Sequence, residues 1–269
     1  MTTTQDLARR IRLQCLRMCH QKRASHLGGA FSVADALAVL YGGVLAKNPA
    51  APNDPQRDRL FYSKGHACTA LYAALGEAGY YPLSALDGFT DNGSVFTSHV
   101  NHKVPGVELS TGSLGHALPV AAGVALAGKR KGAGWHTYVI VSDGELDEGS
   151  NWEAILFAPH HKLDNLTLVV DYNKIQSFGT TAEVLNLDPL PAKFEAFGWE
   201  TLEIDGHDHA ALAAALDKGG RSGRPRVVIA HTVKGKGVSF MENQLAWHYK
   251  SPDAAQYEAA RAELEGHPA

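Results

Sequence analysis

Apolar residues near the amino terminus recur at helical spacing: Leu7, Ile11, Cys15 and Met18 share one stripe of residues 4–20. The same period predicts a second helix over residues 32–44, with Leu37, Leu40, Tyr41 and Val44 inward and Ser32 and Asp35 spaced as a capping box. Residues 67–78 read as a third helix, and residues 118–126, built largely of Ala, Gly and Val, as a fourth whose small side chains let neighbouring backbones approach closely. From Thr137 the texture changes. Short β-branched runs at 138–141, 166–170, 201–204 and 226–230 alternate with helical stretches, and the tail after Ser251 reads as a short terminal helix ending in polar residues.

Runs such as LTLVV and VVIA are continuously apolar, as strands are when both faces of a parallel sheet are covered. Their alternation with helices predicts an α/β fold: a doubly wound, mostly parallel sheet with helices on both faces, the amino-terminal helices packed against it. The Gly/Arg-rich stretch 218–226 reads as a helix-to-strand loop, and no repeat or linker interrupts the chain, so residues 1–269 are expected to form a single domain.

Composition narrows the function. With 28 acidic against 25 basic side chains, a net charge of −3, and no Lys/Arg block, the chain lacks the footprint of a nucleic-acid binder. The longest apolar run, 117–128, is well short of the ~18 residues of a membrane span. Three cysteines without a CxxC pair argue against a disulfide framework or a thiolate metal site. The first residues lack the apolar segment of a signal peptide, and the expected location is the cytoplasm.

Ligands in open α/β sheets sit beyond the carboxyl ends of the strands. The first strand is followed by SDGELDEG (142–149) and the second by DYNKIQ (171–176), so Asp143 and Asn173 are expected side by side at adjacent strand ends. A carboxylate and an amide oxygen suit a hard divalent cation completed by phosphate oxygens. Gly144 would let the chain pass close to a diphosphate, with the next helix offering its amino terminus to the negative charge. Alone, an Asp-Gly after a strand is an ordinary strand-to-helix turn; the paired motif is far more specific.

SDGELDEGSNWEA followed by DYNKIQ resembles the thiamine diphosphate motif of the transketolase family. SHLGGAFS (25–32), SKGHA (63–67), PGVELSTGSLGHAL (105–118), EIDGHD (203–208) and TVKGKG (232–237) fall in that family's order, and the likeness covers nearly the whole chain. It departs at Ser142, where Gly is usual, at His116, where Gln is usual, and after His248, where WHYKSP replaces the common His-Gly-x-Pro.

The resemblance implies the PP-type thiamine diphosphate-binding fold, with Mg²⁺ (or Ca²⁺ or Mn²⁺) held by Asp143, Asn173 and the backbone carbonyl of Ile175. Gly144 and His66 would lie near the diphosphate, and Leu114, Gly115 and Glu145 would approach the cofactor. His26, His66, His99 and His248 would line the substrate channel and shuttle protons, a task suited to imidazoles near neutral pH. Glu148, counted with the catalytic set, and Glu153 match acidic residues at a contact between subunits.

Each of these positions has an ordinary structural reading. His99 and His102 sit in a polar loop where solvated histidines are common, and His160 and His161 are read as structural. SHLGGAFS reads equally as a helix-helix turn whose glycines supply positive φ, and TVKGKG as a solvated basic turn. Glu148 and Glu153 suit a helix surface, and Trp152 and Trp247 suit packing.

The family's activating glutamate belongs to a second, pyrimidine-binding domain that these residues do not supply. The resemblance therefore implies the amino-terminal subunit of a split transketolase, partnered by a carboxy-terminal subunit in an α2β2 complex and acting on sugars or sugar phosphates. Alternatives are the α-type subunit of a thiamine-dependent 2-oxoacid decarboxylase or dehydrogenase, a deoxyxylulose phosphate synthase, and a non-catalytic scaffold with a degenerate cofactor fold.

Overall fold

The structure, a computed structural model, describes residues 3–219 and 223–266. Five parallel strands form one sheet: β1 (Arg59–Tyr62), β2 (Thr137–Ser142), β3 (Leu166–Tyr172), β4 (Glu200–Asp205) and β5 (Arg226–His231), ordered β1-β2-β3-β5-β4. The helices are α1 (Thr4–Lys22), α2 (Leu27–Ser32), α3 (Ala34–Val39), α4 (Cys68–Glu77), α5 (Ala117–Lys131), α6 (Gly149–His160), α7 (Thr181–Val184), α8 (Leu190–Phe197), α9 (His209–Leu216) and α10 (Ala254–Gly266).

Two cores sandwich the sheet, as the uninterrupted apolar runs of its strands require. Along β2, Tyr138 and Ile140 enter a core shared with α1 to α4, α9 and α10, while Val139 and Val141 point the other way into a core shared with α5, α6 and α8. The α/β expectation holds, and both faces are covered.

The sequence pattern assigns residues 59–62 to no element, yet RLFY is strand β1, parallel to β2. Its register is set by a loop residue: buried Asp58 accepts from the Ala46 N–H at 2.8 Å and the His136 N–H at 2.7 Å, and the Arg59 N–H then reaches the His136 carbonyl at 2.9 Å. The single helix over 32–44 is instead α2, α3 and a π-helical turn at Leu40–Val44. No capping box forms there, because Ser32 and Asp35 both face buried partners in the tertiary fold: the Ser32 hydroxyl donates to the Gly29 carbonyl at 3.1 Å and to the Asp171 carboxylate at 2.6 Å. The glycines of SHLGGAFS lie inside α2 without positive φ; the left-handed residue is His26, at φ 69°. Parts of the 218–226 loop and of the polar tail, residues 220–222 and 267–269, lie outside the described residues.

Candidate active site

The carboxyl ends of β2, β3 and β5 face the start of α2 and the turn at Gly65–Ala67 across a cavity of about 220 Å³. Parallel register places Ser142 opposite Asp171, which brings Asp143 and Asn173 together as expected. Asp143 bridges both loops, its carboxylate accepting from the Gly144 N–H at 2.8 Å and the Lys174 N–H at 2.6 Å. Asn173 turns its Nδ2 toward Asp171 at 3.4 Å, and its Oδ1 accepts from the Ile175 N–H at 3.1 Å. Gly144 is favoured by proximity and not by positive φ: a Cβ there would stand 3.0 Å from Gln176 Cγ, which would have to shift.

Beneath the cavity lies a buried ion pair of Lys64 and Asp171, each 1% exposed. The Lys64 ammonium also donates to the Gly29 carbonyl at 2.7 Å, and Asp171 accepts from the Ser32 and Thr232 hydroxyls. Burial alone would raise the Asp171 carboxyl, but Lys64 and these donors hold it below the ordinary carboxylate value. Asp143 takes its hydrogen bonds from backbone groups, and burial followed by repulsion from Asp171 pushes it up to about 6. Lys234, on the loop after β5 and 2% exposed, donates to the Ile175 carbonyl at 2.9 Å and to His248 Nδ1 at 2.9 Å. Burial lowers its ammonium to about 8.

Imidazoles form the opposite wall. The His26 backbone N–H donates to the His248 carbonyl at 2.9 Å, and the His26 ring meets those of His66 and His248 at centroid distances of 5.3 and 5.2 Å. Burial, reinforced by His99 and Lys234, lowers His26 to about 4; burial and Lys234 lower His248 to about 3; burial and Lys64 take His66 well below its ordinary value. All three are neutral at pH 7 and act as donors and acceptors. Because an ammonium only donates, His248 Nδ1 accepts from Lys234, which leaves the proton on Nε2.

His26, His66, Leu114, Asp143, Gly144, Asn173, Ile175 and His248 all line this cavity. His99 is exposed and lies against Gly112, facing an adjoining cavity of about 340 Å³ that shares His26 and His66. Gly115 and Glu145 stand behind the wall: Glu145 is fully buried and accepts from the Ser63 hydroxyl and, at 2.9 Å, from the Gly115 N–H. Glu148 and Glu153 are exposed on the start of α6, outside the cavity. The His116 ring folds back on the Leu114 carbonyl at 2.9 Å, whereas Tyr249 reaches the cavity. Trp152 and Trp247 pack, each indole N–H held by a backbone carbonyl.

Lys64 and Lys234 were not among the expected site residues. Their signal was the glycine that follows each: a Cβ on Gly65 would overlap the Thr111 backbone, and one on Gly235 would overlap the Met241 backbone. These glycines allow the lysine-bearing segments to close in, so TVKGKG is no solvated turn at Lys234.

The donor set fits a diphosphate with a divalent cation. Asp143, Asn173 Oδ1 and the Ile175 carbonyl are hard oxygen donors, and an Asp143 carboxylate that burial and Asp171 destabilise is one that a cation would stabilise. Lys234 and His66, which both line the cavity, offer N–H donors to phosphate oxygens.

The family model for the transketolase thiamine diphosphate-binding domain matches residues 3–269. This chain belongs to the transketolase family. As a transketolase domain it is 45% identical over 241 residues to one subunit of the apulose-4-phosphate transketolase of Actinobacillus succinogenes, covering 89% of this chain and 87% of that one. It is 42% identical over 242 residues to the 6-deoxy-6-sulfo-D-fructose transketolase subunit SqwG of a Clostridium species, covering 89% and 88%. Transketolase from Leishmania mexicana superposes with a TM-score of 0.92 at 29% identity, over 98% of this chain and 42% of that one. Pichia stipitis transketolase in complex with sedoheptulose-7-phosphate gives 0.93 at 28% identity, over 98% and 41%. The transketolase domain thus spans about two fifths of these solved chains and most of the subunit-type relatives.

Proposed function

We propose that this chain is the diphosphate-binding subunit of a two-subunit transketolase that moves a two-carbon ketol unit from a ketose or ketose phosphate to an aldehyde acceptor. The observation that carries this reading is the convergence of Asp143, Asn173 and Lys234 on one cavity roofed by neutral His26, His66 and His248. Asp143, Asn173 and the Ile175 carbonyl would hold Mg²⁺, and Lys234 and His66 the diphosphate. Thiamine diphosphate bound there supplies the electron sink that lets the bond beside the ketone break and re-form.

The residues of the chain do the rest. His248, with its proton on Nε2, donates to a substrate oxygen. His26 and His66 accept or return protons on hydroxyls, and His99 meets the substrate at the outer edge. Ser142 lies outside the positive-φ residues, so serine fits where the family usually has glycine, and this departure gives no support to a degenerate scaffold.

The partner in this reading carries the pyrimidine-binding domain, in an α2β2 complex; the need for a partner subunit is supported by relatives that are themselves named as single subunits of transketolases. The cytoplasm suits a chain whose Cys15, Cys19 and Cys68 are all buried thiols. Copurification from the native cell identifies the partner, and the reconstituted pair is then assayed for two-carbon transfer from fructose-6-phosphate and for CO₂ release from pyruvate. Ketol transfer abolished by Asp143→Ala is the expected result. Transfer unaffected by that change, or pyruvate decarboxylation in its place, overturns the proposal.

A further inference from the structure

Outside the cavity, a buried carboxylate on α3 gathers an unusual set of partners. Asp35, 4% exposed, receives the Arg12 guanidinium on both oxygens, His207 Nδ1 at 2.6 Å on Oδ2 and His209 Nε2 at 3.0 Å on Oδ1. Burial alone would raise this carboxyl, but Arg12, then His207 and His209, hold it well below the ordinary range. A carboxylate only accepts, so His207 Nδ1 carries the proton and its Nε2 is left as an acceptor. That Nε2 accepts the backbone N–H of Val233 at 2.9 Å.

Val233 immediately precedes Lys234. The loop after β4 reaches this loop because residue 206 is glycine; a Cβ there would overlap the Thr232 side chain. Arg12 on α1, Asp35 on α3, His207 after β4 and Val233 after β5 thus form one hydrogen-bonded line from the helical core to the segment that carries a cavity lysine. On the other side of that lysine, the Gly235 N–H is held by the Gly28 carbonyl at 3.0 Å.

We propose that the Asp35–His207 pair positions Lys234: Asp35 fixes the tautomer of His207, and His207 Nε2 holds the Val233 amide so that the Lys234 ammonium projects into the cavity. His207 is a positioning residue, not a catalytic one. What Lys234 meets there rests on the thiamine diphosphate reading; the positioning itself does not.

The test uses two variants of the full chain. In His207→Asn the amide still reaches Asp35 but is too short for Val233; in His207→Gln the side-chain oxygen reaches the position of Nε2. Hydrogen exchange at Val233 to Lys236 is followed by mass spectrometry, and thiamine diphosphate affinity with Mg²⁺ is titrated, with thermal melting as the folding control. The Asn variant is expected to exchange faster at Val233 and to bind the cofactor about five- to tenfold more weakly, the worth of one hydrogen bond. The Gln variant is expected to restore most of both. Equal behaviour of the two variants in exchange, whether both like the parent or both equally impaired, overturns the proposal. If the parent chain does not bind thiamine diphosphate at all, the functional reading fails, while the exchange result still decides the positioning.

Discussion

At the scale of single residues, the site is a set of groups whose titration burial shifts away from its ordinary range. His26 is lowered from 6.5 to about 4, so below pH 6.5 the unfolded chain takes up a proton that the folded chain refuses until near pH 4. Stability therefore falls as pH drops through that window. His26→Gln removes this contribution, and urea denaturation at a series of pH values is expected to show a shallower loss between pH 6.5 and 4 than in the parent. Asp143 has the opposite sign: raised to about 6, its carboxyl penalises the folded state as pH rises from its ordinary 3.8 through 6. The cofactor-free Asp143→Asn variant is expected to melt no lower than the parent at pH 7.5, while Mg²⁺ with thiamine diphosphate raises the melting temperature of the parent alone. Asp143 and Asn173 were legible because their motif is local. The depressed histidines were legible as types but not as states, since burial comes from residues far off in the chain.

At the scale of elements, what the sequence pattern conveyed depended on whether an element is stabilised within itself. The strands β2, β3 and β5 each contain a continuous apolar run and announce themselves. β1 is four residues with no β-branched member, and it is a strand only because β2 and the Asp58 side chain hold it. Asp58→Ala leaves the Ala46 and His136 N–H groups without their acceptor and is expected to cost about 2 to 4 kcal/mol in urea denaturation. The break between α2 and α3 has the same origin. Ser32 and Asp35 have the spacing of a cap, but one turns to Asp171 and the other to Arg12 and two histidines, and these buried partners outweigh a local cap.

At the scale of the whole molecule, large apolar side chains remain exposed: Phe178, 83% exposed, follows the cavity residue Ser177, and Phe157 lines a cleft between α5 and α6 with Glu153. No described helix is long and apolar enough to cross a membrane, and a second, partner chain is the cover we propose for these side chains. Phe157→Asp is expected to weaken association with the partner at least about tenfold in sedimentation titrations, a loss of ~1.4 kcal/mol, without lowering the melting temperature of the lone chain. The sequence by itself determined the α/β alternation, the coverage of both sheet faces and the metal-type pair Asp143 and Asn173, because strand periodicity and strand-end motifs are properties of contiguous residues. Only the tertiary structure decided which lysines enter the cavity, which histidines stay neutral there, that Glu145 stands behind the wall, and that Asp35 speaks to the Lys234 loop through His207. Those outcomes depend on burial and on hydrogen bonds between segments far apart in the chain, such as Asp35 and His207, 172 positions from each other, whose geometry no local pattern encodes.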